Sequence, residues 1–366
     1  MAFKILFCSL VVLLVFLLHF ATFASSTTSS VTATAEVGKA FYKEAEALLN
    51  WKASLDNQSK SLLSSWVGDR PCINWVGITC DELELGVSRL NLSSFGLKDV
   101  DLLEFPLNLE FFEAEFFLYG ALGYGLDNVA PNLTKGGPTP LGAEKADLDH
   151  FTQDVILQFA YQEVGHLRAI QKVVKGFPRP LLDLSKESFA KTVDAAIGKK
   201  LSPPFNPYYS GVHFLLASYL IPYVGLTGYV GTIPKLKAPS SRRLVAGLLG
   251  VESGQDAVIR AYLYEHAKEI VSPYGITVGE FTNRFSELRD RLGHQGHKDE
   301  GLVVPLAEGA EGKINGNVLA GDADSVAFDR TAEEILRIVY GSGDEKKPGG
   351  FYPKGGNGRI ARSHLL

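Results

Sequence analysis

LDHFTQDVILQFAYQEVGHLRAIQKVV, residues 148–174, places a carboxylate and an imidazole on one face of a helix predicted at 143–175. One set of its residues follows spacings of three and four: Val155, Phe159, Glu163, His166, Ile170 and Val174. At about 100° per residue these positions share a single stripe, which a helix normally keeps apolar and buried. Because burying an unpaired carboxylate costs several kcal/mol, Glu163 and His166 need partners from elsewhere in the chain.

Two further predicted helices place polar side chains on buried stripes. The first, 102–124, is apolar on nearly all sides and carries Glu110 in its central stripe. The second, 240–272, carries Glu252 and Gln255 on its apolar stripe. A Glu-x-x-His pair that faces a bundle core, with glutamates from other helices, is typical of di-iron and di-manganese four-helix bundles. We therefore predict a mainly α protein built around a four-helix bundle.

The remaining long helix of this bundle is predicted at 212–230, which contains no charged residue except for the histidine near its start. Its length is enough to consider a transmembrane helix, but Pro222 and two glycines interrupt it and no basic cluster flanks it, which favours a buried core helix. The Gly-rich segment 341–366 predicts a flexible C-terminal tail. Shorter helices are predicted at 186–197, 277–292 and 332–340.

The candidate metal ligands form an incomplete set. They are Glu110, Glu163, His166, Glu252 and Gln255, with Glu113 as a substitute for Glu110. Gln255 stands where a second histidine would bind, and glutamine binds first-row metals feebly compared with imidazole. Three interpretations remain: a metal-free network in which His166 is protonated or Gln255 donates to the carboxylates, a single Fe, Mn or Zn ion, and a di-metal centre. The metal-free network is favoured, so no cofactor is expected.

The N-terminal sequence predicts secretion. Residues 1–24 resemble a signal peptide, because Lys4 precedes the apolar run 5–20 and small residues follow it; an uncleaved anchor is the alternative. A Ser/Thr/Ala-rich spacer follows at 25–35. We expect the mature protein in the extracellular space or cell wall, free of the membrane. A formal net charge of -5 argues against nucleic acid as a partner.

Secretion would allow a disulfide to form and asparagines to be glycosylated. Once the signal peptide with its cysteine is removed, Cys72 and Cys80 form an even pair in a compartment where disulfides persist. Three Asn-x-Ser/Thr triplets are candidate glycosylation sites, at Asn57, Asn91 and Asn132.

The segment 36–98 carries a first resemblance. The sequences EAEALLNW at 44–51 and CINWVGITC at 72–80 are similar to the N-terminal cap of plant leucine-rich-repeat receptor kinases. Alternating leucines at 87–97 fit one strand of such a repeat, but a solenoid needs about three repeats. The resemblance therefore implies a disulfide-closed cap without the receptor function. A partner-binding module for a receptor or cell-wall component is the alternative.

A second resemblance covers 99–366. DLLEFPLNLEFFEAEFFL at 101–118, YQEVGH at 161–166 and GLLGVESGQDAVIR at 247–260 resemble plant desiccation-related proteins of the ferritin-like superfamily. So does GFYPKGGNGRIAR at 350–362. The resemblance implies a ferritin-like bundle at 99–300 and a C-terminal extension at 301–366.

This second resemblance implies a secreted protein associated with desiccation or stress, and it does not imply a reaction. With an incomplete ligand set we expect a non-enzymatic protein. A metal-dependent redox or iron-oxidising protein is the alternative. Because such proteins do not ordinarily carry a receptor cap, the junction near residue 98 is either a gene fusion or a mis-joined gene.

Overall fold

The computed structural model describes residues 33–55, 60, 63–75, 78–81, 86–90 and 98–365. The chain divides into two compact units after Gly96. The predicted signal peptide 1–24, most of the spacer 25–35, and the candidate glycosylation sites Asn57 and Asn91 lie outside the described residues.

The described part of the first unit contains a long helix, a helical turn and a small antiparallel hairpin. Their bounds are α1 Ala33–Ser54, α2 Pro71–Asn74, β1 Ile78–Cys80 and β2 Val87–Leu90. The predicted disulfide between Cys72 and Cys80 is present and links α2 to β1. Helix α1 already begins at Ala33, so it includes the last three residues of the predicted spacer.

Tryptophans form the centre of this unit. The Trp66 ring lies 6.1 Å from Trp51 and 5.1 Å from Trp75, measured between centroids. Leu48 of α1 and Val87 of β2 are buried in the same cluster. A unit this small buries little apolar surface, so it depends on large aromatic groups and on a disulfide for stability. This explains why tryptophans and cysteines occur together in this segment.

The second unit is mainly helical. Its helices are α3 Asp99–Glu104, α4 Leu107–Leu122, α5 Leu126–Val129, α6 His150–Gln171, α7 Lys186–Ile197, α8 Gly211–Ser218, α9 Pro222–Thr232, α10 Pro239–Glu265, α11 Val278–Gly293, α12 Ala332–Val339 and α13 Gly358–Ser363. A short antiparallel hairpin pairs β3 Ile270–Val271 with β4 Ile276–Thr277. Helix α4 packs along α6 and contacts α9, and α10 packs along α9 and contacts α6. These four helices form the predicted bundle.

Helix α4 is the central element. Fourteen of its sixteen residues are buried, as its apolar character on all sides predicts. The predicted single helix from 102 is instead two helices, because Pro106 has no N–H to continue α3 and serves as the N-cap of α4. Gly123 ends α4 with a φ of 83°, a left-handed conformation that favours glycine.

Two other predicted boundaries are corrected. Helix α6 begins at His150, seven residues later than the expected start near 143, because Asp149 is its N-cap and accepts a 3.0 Å bond from the Thr152 amide. The predicted helix 240–272 ends at Glu265, beyond which the chain forms β3.

The uncharged run 212–230 is not one continuous helix. It divides into α8 and α9, because Pro222 at the first position of α9 cannot donate into a preceding turn. Among the described residues, the stretch 211–235 is one that could cross a membrane by length and composition, and 83% of its most apolar window is buried within the protein.

The expectation of a flexible tail at 341–366 is wrong. Tyr352 is fully buried and its hydroxyl donates a 2.8 Å bond to the Asn108 carbonyl. Phe351 packs edge-on against Phe112, with ring centroids 5.1 Å apart. The Gly-rich sequence shows neither helical nor strand periodicity here, which is why a flexible tail is predicted. Isolated aromatic side chains nevertheless anchor the segment to α4.

We predict that Asn108→Ala lowers the free energy of unfolding by about 1–3 kcal/mol. Its side-chain amide donates to the Phe105 and Asn357 carbonyls at 2.9 and 3.0 Å, and its oxygen accepts from the Asn357 amide at 2.7 Å. Urea denaturation measures the loss. The exposed Asn128→Ala is the control, and equal stability of the two variants would contradict the anchoring role of Asn108.

Candidate metal centre

Three helices of the bundle bring four predicted ligands together. Helix α4 contributes Glu110, α6 contributes Glu163 and His166, and α10 contributes Glu252. All four are buried, and one ligand atom from each lies within 4.8 Å of the others. The apolar stripes that carry these residues face the same interior, which is why residues distant in sequence converge.

His166 Nδ1 is the point of convergence. It lies 3.2 Å from Oε2 of Glu110, Oε2 of Glu163 and Oε1 of Glu252. A single N–H donates to one acceptor at a time, and the geometry favours Glu163. Oε2 of Glu110 and both oxygens of Glu252 are buried without a hydrogen-bond donor. More carboxylate oxygens therefore face this point than there are N–H donors to bond them.

This donor set fits one first-row metal ion. Two atoms bound to the same ion at about 2.1 Å, at angles between about 90° and 110°, lie about 3.0–3.4 Å apart. The 3.2 Å contacts of His166 Nδ1 fall within that range. Imidazole and carboxylate groups together suit iron, manganese and zinc. Glu110, Glu163, His166 and Glu252 are thus the residues that would hold such an ion.

The pKa values of the site also indicate that its buried carboxylates lack compensating positive charge. Burial opposes ionisation of Glu110, yet the adjacent His166 outweighs it and lowers the pKa of Glu110. Burial lowers the pKa of His166, but attraction to Glu110 dominates and raises it. Burial and the Glu252 charge raise the pKa of Glu163 well above its usual value. Burial raises the pKa of Glu252 to about 7. A bound cation would displace these extra protons.

Gln255 occupies a supporting position in the structure. Its amide nitrogen donates to Oε1 of Glu163 at 2.6 Å and to Oε1 of Gln162 at 3.0 Å. This is the bond that the metal-free network predicts between Gln255 and a carboxylate. The bond fixes the Glu163 carboxylate and leaves its other oxygen directed at His166.

Helix α9 contributes a hydroxyl in place of a carboxylate. Tyr229 donates a short hydrogen bond to Oε1 of Glu110. Burial, together with the Glu110 charge, raises the pKa of Tyr229 well above its usual value, so the phenol keeps its proton. The sequence alone does not indicate this bond, because Tyr229 and Glu110 lie 119 residues apart.

Glu113 lies one turn beyond Glu110 and is also buried. It is not part of the group of converging ligands, so the structure favours Glu110 over this substitute. Its Oε1 has no hydrogen-bond partner. Burial and the Glu252 charge raise the pKa of Glu113 well above its usual value.

A buried arginine cluster lies beyond the candidate centre and was missed in the sequence. Arg260, Arg289 and Arg330 surround the Tyr223 ring, with Cζ atoms 5.9, 5.5 and 5.7 Å from its centroid. Asp299 accepts from Arg289 at 2.6 Å and from Arg330 at 2.9 Å. A signal was present, because Arg289 lies four residues after Phe285 on the buried stripe of α11.

A second group of possible ligands combines two exposed side chains with one buried side chain: His297 and Glu308 are exposed, and Glu300 is buried. The His297 side chain is 55% exposed, and its nitrogens face Asp290 at 3.1 Å and Glu300 at 3.4 Å. These contacts account for both ring nitrogens. The sequence pattern indicates no role for this group, and its geometry adds none.

Comparison with known proteins agrees with the fold. The Ferritin-like domain family matches residues 98–265. The ferritin-like catalase Nec2 of Nesocodon mauritianus is 61% identical over 268 residues, 73% of this chain and 86% of the relative. The desiccation-related protein PCC13-62 of Craterostigma plantagineum is 60% identical over 261 residues, 71% of this chain and 83% of the relative. This chain belongs to the plant ferritin-like desiccation-related proteins.

The N-terminal unit has a different relationship. The Leucine rich repeat N-terminal domain family matches residues 42–81, which confirms the predicted cap in this ferritin-like protein. The MDIS1-interacting receptor like kinase 2 of Arabidopsis thaliana is 44% identical over 61 residues, 15% of this chain and 6% of that kinase. No solved structure matches the chain.

We predict that the metal-free ferritin-like protein loses stability as pH rises from about 4.5 to about 7. The folded pKa of Glu252, about 7, exceeds its ordinary value of 4.5, so the folded state binds the extra proton in this window. Each such proton contributes a slope of up to about -1.4 kcal/mol per pH unit to the unfolding free energy. Denaturation at several pH values measures it.

Glu252→Gln should flatten this slope, because its amide does not titrate. The exposed Glu265→Gln on the same helix should keep the wild-type slope. A Glu252→Gln slope equal to that of the wild type would show that Glu252 is ionised in the folded protein.

Proposed function

We propose that the bundle of this protein holds a redox-active transition metal and removes hydrogen peroxide, as part of a secreted response to desiccation or stress. The observation that carries the proposal is the approach of three carboxylate oxygens to within 3.2 Å of His166 Nδ1. The name of one relative, a ferritin-like catalase, supports the choice of reaction. The name of another, a desiccation-related protein, supports the physiological setting.

The reaction needs no reactant other than peroxide. One molecule of hydrogen peroxide is oxidised to dioxygen and gives up two electrons and two protons. A second molecule accepts them, its O–O bond breaks, and two molecules of water form. When bound, iron or manganese supplies the electron storage that these two half-reactions require.

The chain's own residues would hold the ion and manage protons. Glu110, Glu163, His166 and Glu252 are the four side chains whose ligand atoms converge. Tyr229 and Gln255 orient two of these carboxylates by hydrogen bonds to Glu110 and Glu163. Glu113 offers a buried carboxyl oxygen without a partner beside them, at which a proton can be held between the half-reactions.

A non-enzymatic protein with a metal-free network is the second candidate. The observation that favours it is Gln255, which fills the position of a second histidine and bonds to Glu163. In that case the buried carboxylates share protons and the bundle has a structural role in dry tissue. The two candidates differ in metal content and in peroxide turnover.

We predict that the full chain, produced with iron and manganese available, retains metal and decomposes hydrogen peroxide. Glu163→Gln should lower metal content and turnover by at least about tenfold, because loss of one charged ligand weakens binding. Elemental analysis and oxygen release measure the two effects. Exposed Glu265→Gln is the matched control. Wild-type protein with less than about a tenth of an equivalent of metal would favour the non-enzymatic candidate.

The proposal of secretion draws on three features of the chain. Residues 1–24 have the composition of a signal peptide. The disulfide between Cys72 and Cys80 is of the kind that persists in the secretory pathway. Asn132 is exposed, as an acceptor for a glycan must be.

We predict that plant cells expressing the full-length chain export it with residues 1–24 removed. N-terminal sequencing of the extracellular protein should begin within 25–36, because small residues at 21–26 and 33–35 offer cleavage sites. Removal of N-glycans should shift its mass, and Asn132→Gln should reduce that shift. Recovery of intracellular protein that still begins at residue 1 would contradict secretion.

A further inference from the structure

A small cavity adjoins the candidate metal centre. Its volume is about 20 Å³, and it lies between the carboxylates of Glu110, Glu113 and Glu252 and the backbone of α9 at Gly225 and Gly228. Thr232 and Pro106, which also line it, are partly exposed, whereas the three glutamates are buried. The cavity therefore extends from near the surface to the ligands.

The size and lining of the cavity restrict what can occupy it. A single water molecule needs about 10–15 Å³ of such space, so the cavity admits a molecule of one or two heavy atoms. Its polar wall includes unpartnered buried oxygens: Oε2 of Glu110, Oε1 of Glu113 and both oxygens of Glu252. A guest must therefore donate hydrogen bonds. Hydrogen peroxide has two heavy atoms and two O–H donors.

Glycine at position 225 keeps this space open. A Cβ at Gly231 would lie 2.3 Å from the Arg330 carbonyl, and a Cβ at Gly228 would lie 2.6 Å from Ile335 Cδ1, so packing explains both of those glycines. At Gly225 a Cβ would make only ordinary contacts, 3.5 Å from Glu113 Oε1 and 3.6 Å from Leu109 Cδ2.

Gly225 lies within α9 and does not have a positive φ. Glycine inside a helix is destabilising relative to alanine. Neither backbone conformation nor a clash requires it here. What a methyl group would change at this position is the free volume beside Glu113.

We infer that this cavity is the substrate chamber of the proposed peroxide reaction, that Gly225 leaves room in it for hydrogen peroxide, and that its small volume excludes alkyl hydroperoxides. This inference rests on the proposed function and adds its substrate selectivity. The chamber would seat a two-oxygen molecule against the carboxylates of Glu113 and Glu252, and an alkyl substituent would have no space between Gly225 and Leu109.

Gly225→Ala in the metal-loaded full chain tests the inference. Its kcat/KM for hydrogen peroxide should fall by at least about tenfold, because the methyl group occupies the chamber. Metal content should stay at the wild-type level, and Tm should stay equal or rise.

Gly250→Ala is the matched control, since Gly250 lies in α10 with nothing within 4 Å of an added Cβ. It should keep wild-type turnover. Wild-type protein should turn over tert-butyl hydroperoxide at less than about a hundredth of the peroxide rate.

A crystal structure distinguishes filling of the chamber by the methyl group from other causes of lost turnover. Crystals of the metal-free wild type and Gly250→Ala should show an ordered water in the cavity, and crystals of Gly225→Ala should show none. Undiminished turnover in Gly225→Ala, or water retained there, would overturn the inference while leaving the proposed reaction intact. A metal-loaded wild type without turnover would overturn the proposed reaction and this inference together.

Discussion

Three carboxylates gathered around one imidazole nitrogen inside a bundle are the constraint on which the second unit depends. An unpaired charge in such an interior is costly, so the carboxylates need hydrogen-bond donors or cations from the surrounding helices. Tyr229 donates to Glu110 and Gln255 donates to Glu163, yet both oxygens of Glu252 lack a donor. These unpartnered oxygens fit a bound cation, and the bonds from Tyr229 and Gln255 hold two of the carboxylates in position.

The segments outside the four bundle helices contribute to that shape. The Arg330 amide donates to the Thr227 carbonyl at 3.0 Å, and its guanidinium donates to the Thr227 hydroxyl at 3.1 Å. These bonds fix α9, the helix that carries Tyr229 and Gly225. Tyr352 in turn bonds to the Asn108 carbonyl on α4, two residues before Glu110. The C-terminal extension thus positions the ligand-bearing helices and is part of the same compact unit.

Much of the candidate centre could be predicted because helical periodicity is a local signal. Glu110, Glu163, His166 and Glu252 each interrupt an apolar stripe, and stripes of packed helices face one interior. The Tyr229 bond and the space beside Gly225 depend on neighbours more than a hundred residues away. The packed tail was missed because Phe351 and Tyr352 act as single anchors without a repeating pattern. The break at Pro222 was visible in the sequence but was outweighed by the uncharged run around it.

The most direct test is an anomalous diffraction map of the full chain crystallised after growth with iron and manganese. The account predicts an anomalous peak enclosed by the carboxylates of Glu110, Glu163 and Glu252 and by His166 Nδ1. A map with no peak at this position, or with a peak only at the group around His297, would contradict it.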